Sequence, residues 1–474
     1  MNVRSRFAPS PTGYIHLGGI RTALFAFLLA KHSDGQFILR LEDTDKSREV
    51  EGAKEHIIKC LKVLGIEYDE GPDIGGNFGP YIQSDRLGIY KDWAKKLIES
   101  GRAYTDPYTK QEIEQFRNQT KASKSPFLYR NFRPENPPTW QEGMPLRFKS
   151  DPKAYKWNDL VMGELSFSSE SIDDFILIKS DGYPTYNFAH IIDDHLMEIS
   201  HVLRGQEFMS SVPNYLNLHE ALEIEHPLYA TLPHVLNEQG NKKLSKRDGA
   251  KDVLDYIRDG YLSESLVSFI ATLGWNDGST QEIFTQKELI SKFSLDRVQR
   301  SGAKLDLSRL NWINGTLIRQ MDPSELYSKI KVFFPEESSS YSDDYKLEVT
   351  KVIQERLKYF SEVSDLSIFF FKDLPVDLSL IQNNKQLKKF SFEELKDLLI
   401  KAREVIETSN FSQEDLTDKL NSLLDKTNQK PAIIFSLIRI ATTQAPSSPP
   451  LSASLKILGK EKTLARIDDQ LAHL

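Results

Sequence analysis

The N-terminal segment constrains the fold more than any other part of the chain, because it predicts a strand, a sharply broken loop and a helix in immediate succession. The residues from Val3 to Ala8 predict a β-strand, which Pro9 and Pro11 end. A helix is predicted from about Gly18 through the apolar run 23–29. A strand that leads directly into a helix is typical of an α/β domain with a parallel sheet.

The start of this predicted helix carries the residues that a phosphate site needs. Gly18 and Gly19 leave room for a phosphate at the positive end of the helix dipole, and we expect free backbone N–H groups there. His16, just before the helix, is placed to donate a hydrogen bond to a phosphate oxygen. A His-x-Gly triplet also occurs by chance in ordinary turns, so this segment alone does not define a site.

A second segment, Lys243-Leu-Ser-Lys-Arg247, is a strongly basic loop near the middle of the chain. Glycine and asparagine precede it at residues 240–241, and its two lysines stand three residues apart. Such a loop is suited to neutralising a polyphosphate as negative charge moves onto pyrophosphate. Taken separately, a basic loop is more often solvated surface than a binding element.

The two segments, in this order, resemble the HIGH and KMSKS signatures of class I aminoacyl-tRNA synthetases. The block Arg6-Phe-Ala-Pro-Ser-Pro-Thr-Gly13 narrows the resemblance to the glutamyl/glutaminyl branch. The resemblance implies that the catalytic residues are His16, Gly18, Lys243 and Lys246. It also implies that ATP, accompanied by Mg²⁺, is bound by Pro9, Ser10, Thr12, Gly13, His16, Gly18, Gly19, Glu207, Leu236, Lys243, Ser245 and Lys246.

An acidic turn after the next predicted strand is a candidate for binding an amino acid. The strand 37–41 ends at Glu42, and ligands of open parallel sheets lie beyond the carboxyl ends of the strands. Without the two signatures an ordinary acidic turn is the simpler interpretation; with them, Glu42 is placed to meet an ammonium group. The resemblance implies that arginines hold the carboxylates of glutamate, and that the full set of glutamate-binding residues is Arg6, Ala8, Ser10, Glu42, Tyr186, His190 and Arg204. For His190, a histidine packed beneath the site is the alternative.

The length of the chain, 474 residues, is enough for about three domains. We identify the fold class as α/β, with a Rossmann-type parallel-sheet catalytic domain that carries an α+β insertion and is followed by all-α C-terminal domains. The resemblance implies a catalytic domain formed by residues 1–75 and 183–248 and an inserted acceptor-end-binding domain at 76–182. It further implies a helical stem-contact domain at 249–322 and a helical anticodon-binding domain at 323–474.

A second apolar region predicts that the sheet resumes after the insertion. Residues 174–179 predict a strand, and we expect the strand pattern to continue from Pro184 to Asp194 with Ile191 and Ile192 in the core. The acidic and imidazole groups at 193–195 invite a metal-site interpretation. We reject it because consecutive residues on a strand point to opposite faces.

The predicted insertion bears on zinc and on RNA contact. Residues 98–130 contain neither histidine nor cysteine, and Cys60 is the single cysteine of the chain, so we predict no bound zinc. Between Lys121 and Arg133, basic residues alternate with three aromatic ones. This mixture suits a single-stranded RNA end and an ordinary surface with aromatic anchors about equally.

The region after about Pro323 has the pattern of helices separated by polar linkers, with little β-barrel patterning. Within the resembling family this favours the bacterial type of glutamyl-tRNA synthetase, whose anticodon-binding domain is helical. Arg356 resembles an anticodon-reading position, with a solvated helix arginine as the alternative. The length of the region argues against a truncated glutamyl-queuosine tRNA synthetase-like paralogue, and the intact signatures argue against a non-catalytic tRNA-binding protein.

The expected partners follow from the resemblance. It implies glutamate–tRNA ligation with L-glutamate, ATP and tRNA(Glu), leaves tRNA(Gln) open as a further substrate, and suggests a monomer. The formal net charge of −7 argues against indiscriminate nucleic-acid binding, although a local basic surface for tRNA remains compatible with it. We find no run of about 18 apolar residues and no signal peptide, and therefore expect a cytoplasmic protein without a membrane span.

Overall fold

The computed structural model describes residues 2–244, 251–445 and 448–474. The chain forms two compact units, one comprising Met1–Arg258 and Ser263–Leu310, the other Asp259–Leu262 and Asn311–Leu474. Ser245 and Lys246, which the sequence assigns to ATP binding, lie outside the described residues. Within the described ranges, every helix is too short or too polar to serve as a bilayer-spanning segment.

The first unit alternates strands and helices. In chain order its elements are β1 (Arg4–Phe7), α1 (Leu17–His32), β2 (Gln36–Leu39), α2 (Ala53–Val63), α3 (Leu87–Glu99), β3 (Ala103–Thr105), α4 (Lys110–Ala122), β4 (Leu146–Phe148), β5 (Tyr155–Asp159), β6 (Gly163–Phe167), β7 (Ile176–Ile178), α5 (Tyr186–Leu196), β8 (His201–Gly205), α6 (Val212–Leu222), β9 (Leu228–Leu232), β10 (Val235–Leu236), α7 (Val253–Arg258), α8 (Ser263–Ala271), α9 (Gln286–Lys292) and β11 (Ala303–Lys304).

Four of these strands form the parallel sheet that the sequence predicts. Their order is β2-β1-β8-β9, and each neighbouring pair is parallel. Helix α1 packs on β1 and β2, and its buried residues include Ile20, Leu24 and Leu28, which recur every four positions on one face. The predicted α/β fold class is confirmed for this part of the chain.

Strand β1 carries two buried arginines as well as apolar side chains. Arg4 and Arg6 are two positions apart, so both guanidinium groups leave the same face of the strand. Arg4 pairs with Glu70 at 2.9 Å, and Arg6 pairs with Asp194 at 3.0 Å. A buried charge is costly unless it is paired, so burial of this strand depends on these two acids.

The insertion is built on a small antiparallel sheet and a separate hairpin. The sheet has the order β3-β4-β7, and β5 pairs with β6. Tyr90 of α3, Phe148 of β4 and Trp157 of β5 are buried in one apolar core. Strand β7 therefore belongs to the sheet of the insertion and does not extend the parallel sheet.

The aromatic residues of the predicted RNA-contact segment pack on one another. The ring of Phe132 stacks on Phe116 at 4.5 Å and on Phe127 at 5.8 Å between centroids. Arg133 pairs with the buried carboxylate of Asp174 at 2.7 Å. These contacts favour the aromatic-anchor interpretation, because the rings and this cation already have protein partners.

The segment after β7 is a helix, so the predicted strand from Pro184 to Asp194 is wrong. Helix α5 begins at Tyr186, and its buried residues include Phe188, Ile191 and Ile192. These apolar residues are spaced three and four apart, which matches the helical period and not the period of a strand. The prediction gave too much weight to the two β-branched isoleucines, which are common in strands.

The acidic residues of α5 bind arginines. Asp193 accepts a hydrogen bond from Arg86 at 2.7 Å, and Asp194 accepts one from Arg6 at 3.0 Å. Both carboxylates are buried. The metal site at these residues was rejected because consecutive residues of a strand point to opposite faces, and that reason does not apply to a helix. A different reason holds instead, since guanidinium groups already neutralise these carboxylates.

Helices build the second unit wherever its residues are described. They are α10 (Leu307–Gln320), whose first turn belongs to the first unit, α11 (Pro323–Ile330), α12 (Asp343–Ile353), α13 (Val363–Phe371), α14 (Ser379–Asn383), α15 (Phe392–Glu407), α16 (Gln413–Thr427), α17 (Pro431–Thr443), α18 (Leu451–Leu458) and α19 (Lys460–His473). One apolar core joins α15 to α19 through residues such as Leu399 and Ile438, and another joins α11, α12 and α13. The predicted helical C-terminal region is confirmed.

Candidate active site

The parallel sheet defines a crevice at the carboxyl ends of β1 and β8. From β1 the sheet continues to β2 on one side, and from β8 it continues to β9 on the other. Ligands of open parallel sheets bind at such a switch point. A cavity of about 410 Å³ lies there. The predicted residues that line it are Arg6, Ala8, Pro9, Ser10, Thr12, His16, Gly18, Gly19, Tyr186, Arg204, Glu207 and Lys243.

His16 caps the helix that borders this cavity. Its Nδ1 accepts a hydrogen bond from the backbone N–H of Gly18 at 3.1 Å, so the N–H that we expected to be free has a partner. A neutral imidazole that accepts at Nδ1 carries its proton at Nε2, so the His16 ring can act as a hydrogen-bond donor at that atom. A β-carbon at position 18 would lie 3.1 Å from the His16 ring, and one at Gly19 would lie 2.9 Å from Ile15. The two glycines are therefore needed for the turn itself.

Lys243 and Glu207 form an ion pair in the cavity wall. The Nζ of Lys243 lies 2.7 Å from one carboxylate oxygen of Glu207, and Nδ1 of His234 lies 3.5 Å from the other. Burial acts to raise the pKa of Glu207, but the hydrogen bond from Lys243, a backbone hydrogen bond and the charges of Lys243 and His234 together outweigh it, and the pKa is lowered. Both side chains of the pair are about half exposed, so an incoming phosphate can compete for Lys243 at little desolvation cost.

Arg204 is a buried cation whose hydrogen bonding is incomplete. Its Nη2 donates to the hydroxyl of Tyr186 at 2.5 Å, whereas Nε and Nη1 have no partner among the described residues. The rings of Phe208 and Tyr215 lie with their centroids 4.4 and 5.0 Å from the guanidinium carbon. Unpaired buried donors are costly, which points to a ligand acceptor at this position. Nε and Nη1 lie on different edges of the guanidinium group, so a carboxylate that accepts two parallel hydrogen bonds would accept from one of them together with Nη2.

Arg6, Arg40, Glu42 and Asp194 form a buried ion network beside the cavity. The Nη2 of Arg40 lies 2.8 Å from Glu42 and 2.8 Å from Asp194, which also binds Arg6. The Oε2 of Glu42 has no partner among the described residues, and burial raises the pKa of this carboxyl. This oxygen is a spare acceptor, as an ammonium ligand requires. Arg6 gives Nε and Nη2 to Asp194, so it has fewer donors left for a substrate than the sequence suggests.

His190 lies beneath Tyr186 and outside the cavity wall. The two rings stack at 4.7 Å, and Nδ1 of His190 donates to the carbonyl oxygen of Tyr186 at 2.7 Å. Burial and the nearby Arg204 hold the pKa of His190 well below its ordinary value, so the ring is neutral. Its Nε2, which has no partner among the described residues, is then an acceptor. His190 can therefore accept from a substrate ammonium group but cannot donate to a carboxylate in this tautomer.

Other predicted residues lie apart from the cavity, and eleven lining residues were not predicted, among them the basic side chains of Arg21 and His234. Gly13 borders an adjoining opening of about 550 Å³, Leu236 lies just beyond the lining segment, and Arg356 belongs to the second unit. Arg21 and His234 line the cavity. A local signal existed for both, because Arg21 ends the N-terminal signature and His234 follows a strand of the parallel sheet.

A group of potential metal ligands lies outside the predicted site. His56, Cys60 and Asp252 place one ligand atom each within 4.8 Å of the others. The Nε2 of His56 lies 2.7 Å from the carboxylate of Asp252, and burial raises the pKa of the Cys60 thiol to about 12. A direct bond between His56 and Asp252 beside a neutral thiol accounts for this group without a cation. The absence of zinc stays a prediction.

The fold and the cavity together define a nucleotide-binding catalytic domain of the class I aminoacyl-tRNA synthetase type. Residues 2–312 match the family model of the catalytic domain of class I tRNA synthetases (E and Q), and residues 324–471 match that of an anticodon binding domain. The chain therefore belongs to the class I tRNA synthetases of the glutamate and glutamine branch.

Relatives and solved structures match along nearly the whole chain. The glutamate–tRNA ligase of Dehalococcoides mccartyi is 38% identical, and the match covers 100% of this chain and 98% of that protein. The glutamate–tRNA ligase of Clostridium novyi is 39% identical, with 98% and 96% covered. The crystal structure of a glutamate tRNA ligase from Elizabethkingia meningosepticum in complex with its amino acid matches with a TM-score of 0.84 and 31% identity, covering 100% of both chains.

Proposed function

We propose that this protein is a glutamate–tRNA ligase, which activates L-glutamate with ATP and transfers it to the 3′-terminal adenosine of tRNA. The observation that carries the proposal is the buried Arg204 beside Tyr186, whose Nε and Nη1 have no partner among the described residues and suit the carboxylate of an acidic amino acid. The uncharged amide of glutamine would not compensate the desolvated guanidinium group. The spare oxygen of Glu42 suits the ammonium group of the same ligand.

Activation joins glutamate to AMP without a protein nucleophile. The α-carboxylate of glutamate attacks the α-phosphorus of ATP in line, a new P–O bond forms, and the bond to the bridging oxygen breaks to release pyrophosphate. We assign the Nε2–H of His16 to the phosphate oxygens that gain charge. Lys243 exchanges Glu207 for the leaving pyrophosphate. Mg²⁺ that accompanies ATP supplies further charge neutralisation.

Transfer uses a hydroxyl of the terminal adenosine of tRNA as the nucleophile. It attacks the carbonyl carbon of the mixed anhydride, loses its proton, and forms an ester as AMP leaves. We propose that bound tRNA is needed for activation, that the protein acts as a monomer, and that tRNA(Gln) is a possible second substrate. The anticodon binding domain matched at 324–471 supports a tRNA ligase over a truncated paralogue that modifies a tRNA base.

Charging assays with radiolabelled glutamate test this function. Purified tRNA(Glu) and tRNA(Gln) are each incubated with ATP, Mg²⁺ and the enzyme, and Lys246→Ala serves as the control for the basic signature. Charging of tRNA(Glu) alone identifies a discriminating enzyme, and charging of both identifies a dual-specificity enzyme. Folded protein that charges neither tRNA contradicts the proposal.

A further inference from the structure

The turn from β9 into β10 forms one wall of the cavity, and its backbone carbonyls are held by hydrogen bonds. Three consecutive carbonyl oxygens accept from backbone N–H groups at 2.8 to 3.0 Å. The carbonyl of His234 accepts from Ala303, that of Val235 from Leu244, and that of Leu236 from Leu305. The carbonyl oxygen of Pro233, which precedes them, accepts instead from the side chain of Arg21. Arg21 therefore does for the carbonyl of Pro233 what backbone N–H groups do for the next three carbonyls.

Arg21 connects this wall to two other parts of the first unit. It lies on α1, three residues after Gly18, and therefore on the same face of the helix as the predicted phosphate site. Its Nη1 donates to the carbonyl oxygen of Leu273 at 3.1 Å, while Nη2 binds Pro233. The side chain is 4% exposed and borders the cavity.

A buried arginine without a carboxylate partner is unusual, because its charge must be stabilised by dipoles. Among the described residues no acid lies within ion-pair distance of Arg21, and Nε has no partner. Burial lowers the pKa of Arg21 to about 10, while the charge of Glu207 acts to raise it. At neutral pH the guanidinium group is thus still a cation, and it adds to the positive potential around the cavity.

We propose that Arg21 is a positioning residue of the ATP site, which fixes the wall at 233–236 relative to the N-terminus of α1. Helix α1 then sets the distance between the predicted phosphate site at its N-terminus and the wall at 233–236 on the other side of the pocket. A forked side chain is required, because two carbonyls on separate segments must be bound at once. This inference rests on the proposed function, since ATP occupies the cavity only if the protein activates glutamate.

Arg21→Met tests the role by removing both donors while keeping an unbranched side chain. The KM for ATP and the KM for glutamate are measured by pyrophosphate exchange in the presence of tRNA(Glu), together with the unfolding temperature. We expect the KM for ATP to rise about tenfold, because two buried carbonyls lose their donors. The KM for glutamate should stay within about twofold, since Arg204 and Glu42 are untouched. Arg21→Lys, which retains the charge and one donor, should give an intermediate KM for ATP.

Arg4→Met is the matched control. Arg4 is also a buried arginine of the first unit and donates to a backbone carbonyl, that of Met197, but it does not line the cavity. The proposal is wrong if Arg21→Met leaves the KM for ATP unchanged, or if it changes both KM values by the same factor as Arg4→Met does. If Arg21→Met does not fold, the ATP-specific effect of Arg21→Lys decides. A wild-type protein without exchange activity would instead contradict the proposed function.

Discussion

Replacing Arg204 with methionine removes the donors that we assign to the carboxylate of glutamate. Nε and Nη1 have no partner among the described residues, so the guanidinium group can give the substrate carboxylate about two charge-assisted hydrogen bonds. Each contributes at least about 1.5 kcal/mol. Their loss amounts to about 3 kcal/mol, and because about 1.36 kcal/mol corresponds to a factor of ten, kcat/KM for glutamate should fall roughly a hundredfold.

The same substitution should leave the stability of the protein nearly unchanged. The hydroxyl of Tyr186 accepts a hydrogen bond from Arg204, and the guanidinium group is otherwise buried against aromatic rings. Methionine loses about 0.5 to 2 kcal/mol of cation–π interaction but relieves the desolvation of the unpaired guanidinium group. We therefore expect the unfolding temperature to fall by no more than about 1 °C, or to rise.

Charging of tRNA(Glu) at varied glutamate concentrations gives kcat/KM, and calorimetry gives the unfolding temperature. Arg40→Met serves as the contrast, because it leaves the buried Glu42 and Asp194 without their shared cation. Breaking such a network costs about 3 to 5 kcal/mol of stability, so this variant should unfold at a clearly lower temperature. Wild-type kcat/KM in Arg204→Met would refute the reasoning. So would a loss of activity that is accompanied by the same fall in unfolding temperature as in Arg40→Met.

Three further outcomes are expected. Gly18→Ala places a β-carbon 3.1 Å from the His16 ring and should slow pyrophosphate exchange about tenfold with little change in unfolding temperature; unchanged exchange would contradict the turn argument. Burial acts to raise the pKa of Asp43, but hydrogen bonds from two lysines and Ser84 lower it to about 2 from 3.8. The stabilisation of the protein by the Asp43 carboxylate is therefore complete above about pH 4. The difference in unfolding temperature between wild type and Asp43→Asn should shrink as the pH falls from 4 to 2, and a constant difference would argue against the pairing. His56→Ala removes the hydrogen bond between Nε2 of His56 and the carboxylate of Asp252 and should lower the free energy of unfolding by about 1 kcal/mol in urea titrations; no change would show that this contact is not stabilising.

Local patterns were sufficient to predict the elements that carry the signatures. The strand broken at Pro9, the helix that begins next to Gly18 and the strand that leads to Glu42 are all present in the structure. Each has a signal within a few residues, either a turn former or a run with one period. The twelve predicted residues that line the cavity were implied by the family resemblance, and they lie together because the carboxyl ends of parallel strands meet at one edge of the sheet.

Pairings between distant residues could not be predicted in the same way. Asp194 lies 188 residues from Arg6, and its role depends on a helix that was predicted as a strand. The isoleucine pair at 191–192 supports either element when viewed over a few residues, and tertiary burial decides between them. The role of Arg21 could not be predicted either, since its two acceptors are backbone carbonyls, which carry no sequence signal.

The two buried arginines of β1 have a consequence for the order in which the nascent chain can fold. The strand β1 leaves the ribosome before its partners, because the acid that pairs with Arg6 is 188 residues further along and the neighbouring strand β8 follows that acid. At synthesis rates of about 5 to 20 residues per second, roughly ten to forty seconds pass before both have been translated. During that interval the N-terminal strand has no native neighbour on one side, and its edge is open to chaperones or to pairing with another chain. The parallel sheet is therefore completed late in synthesis, although β1 is synthesised long before β8.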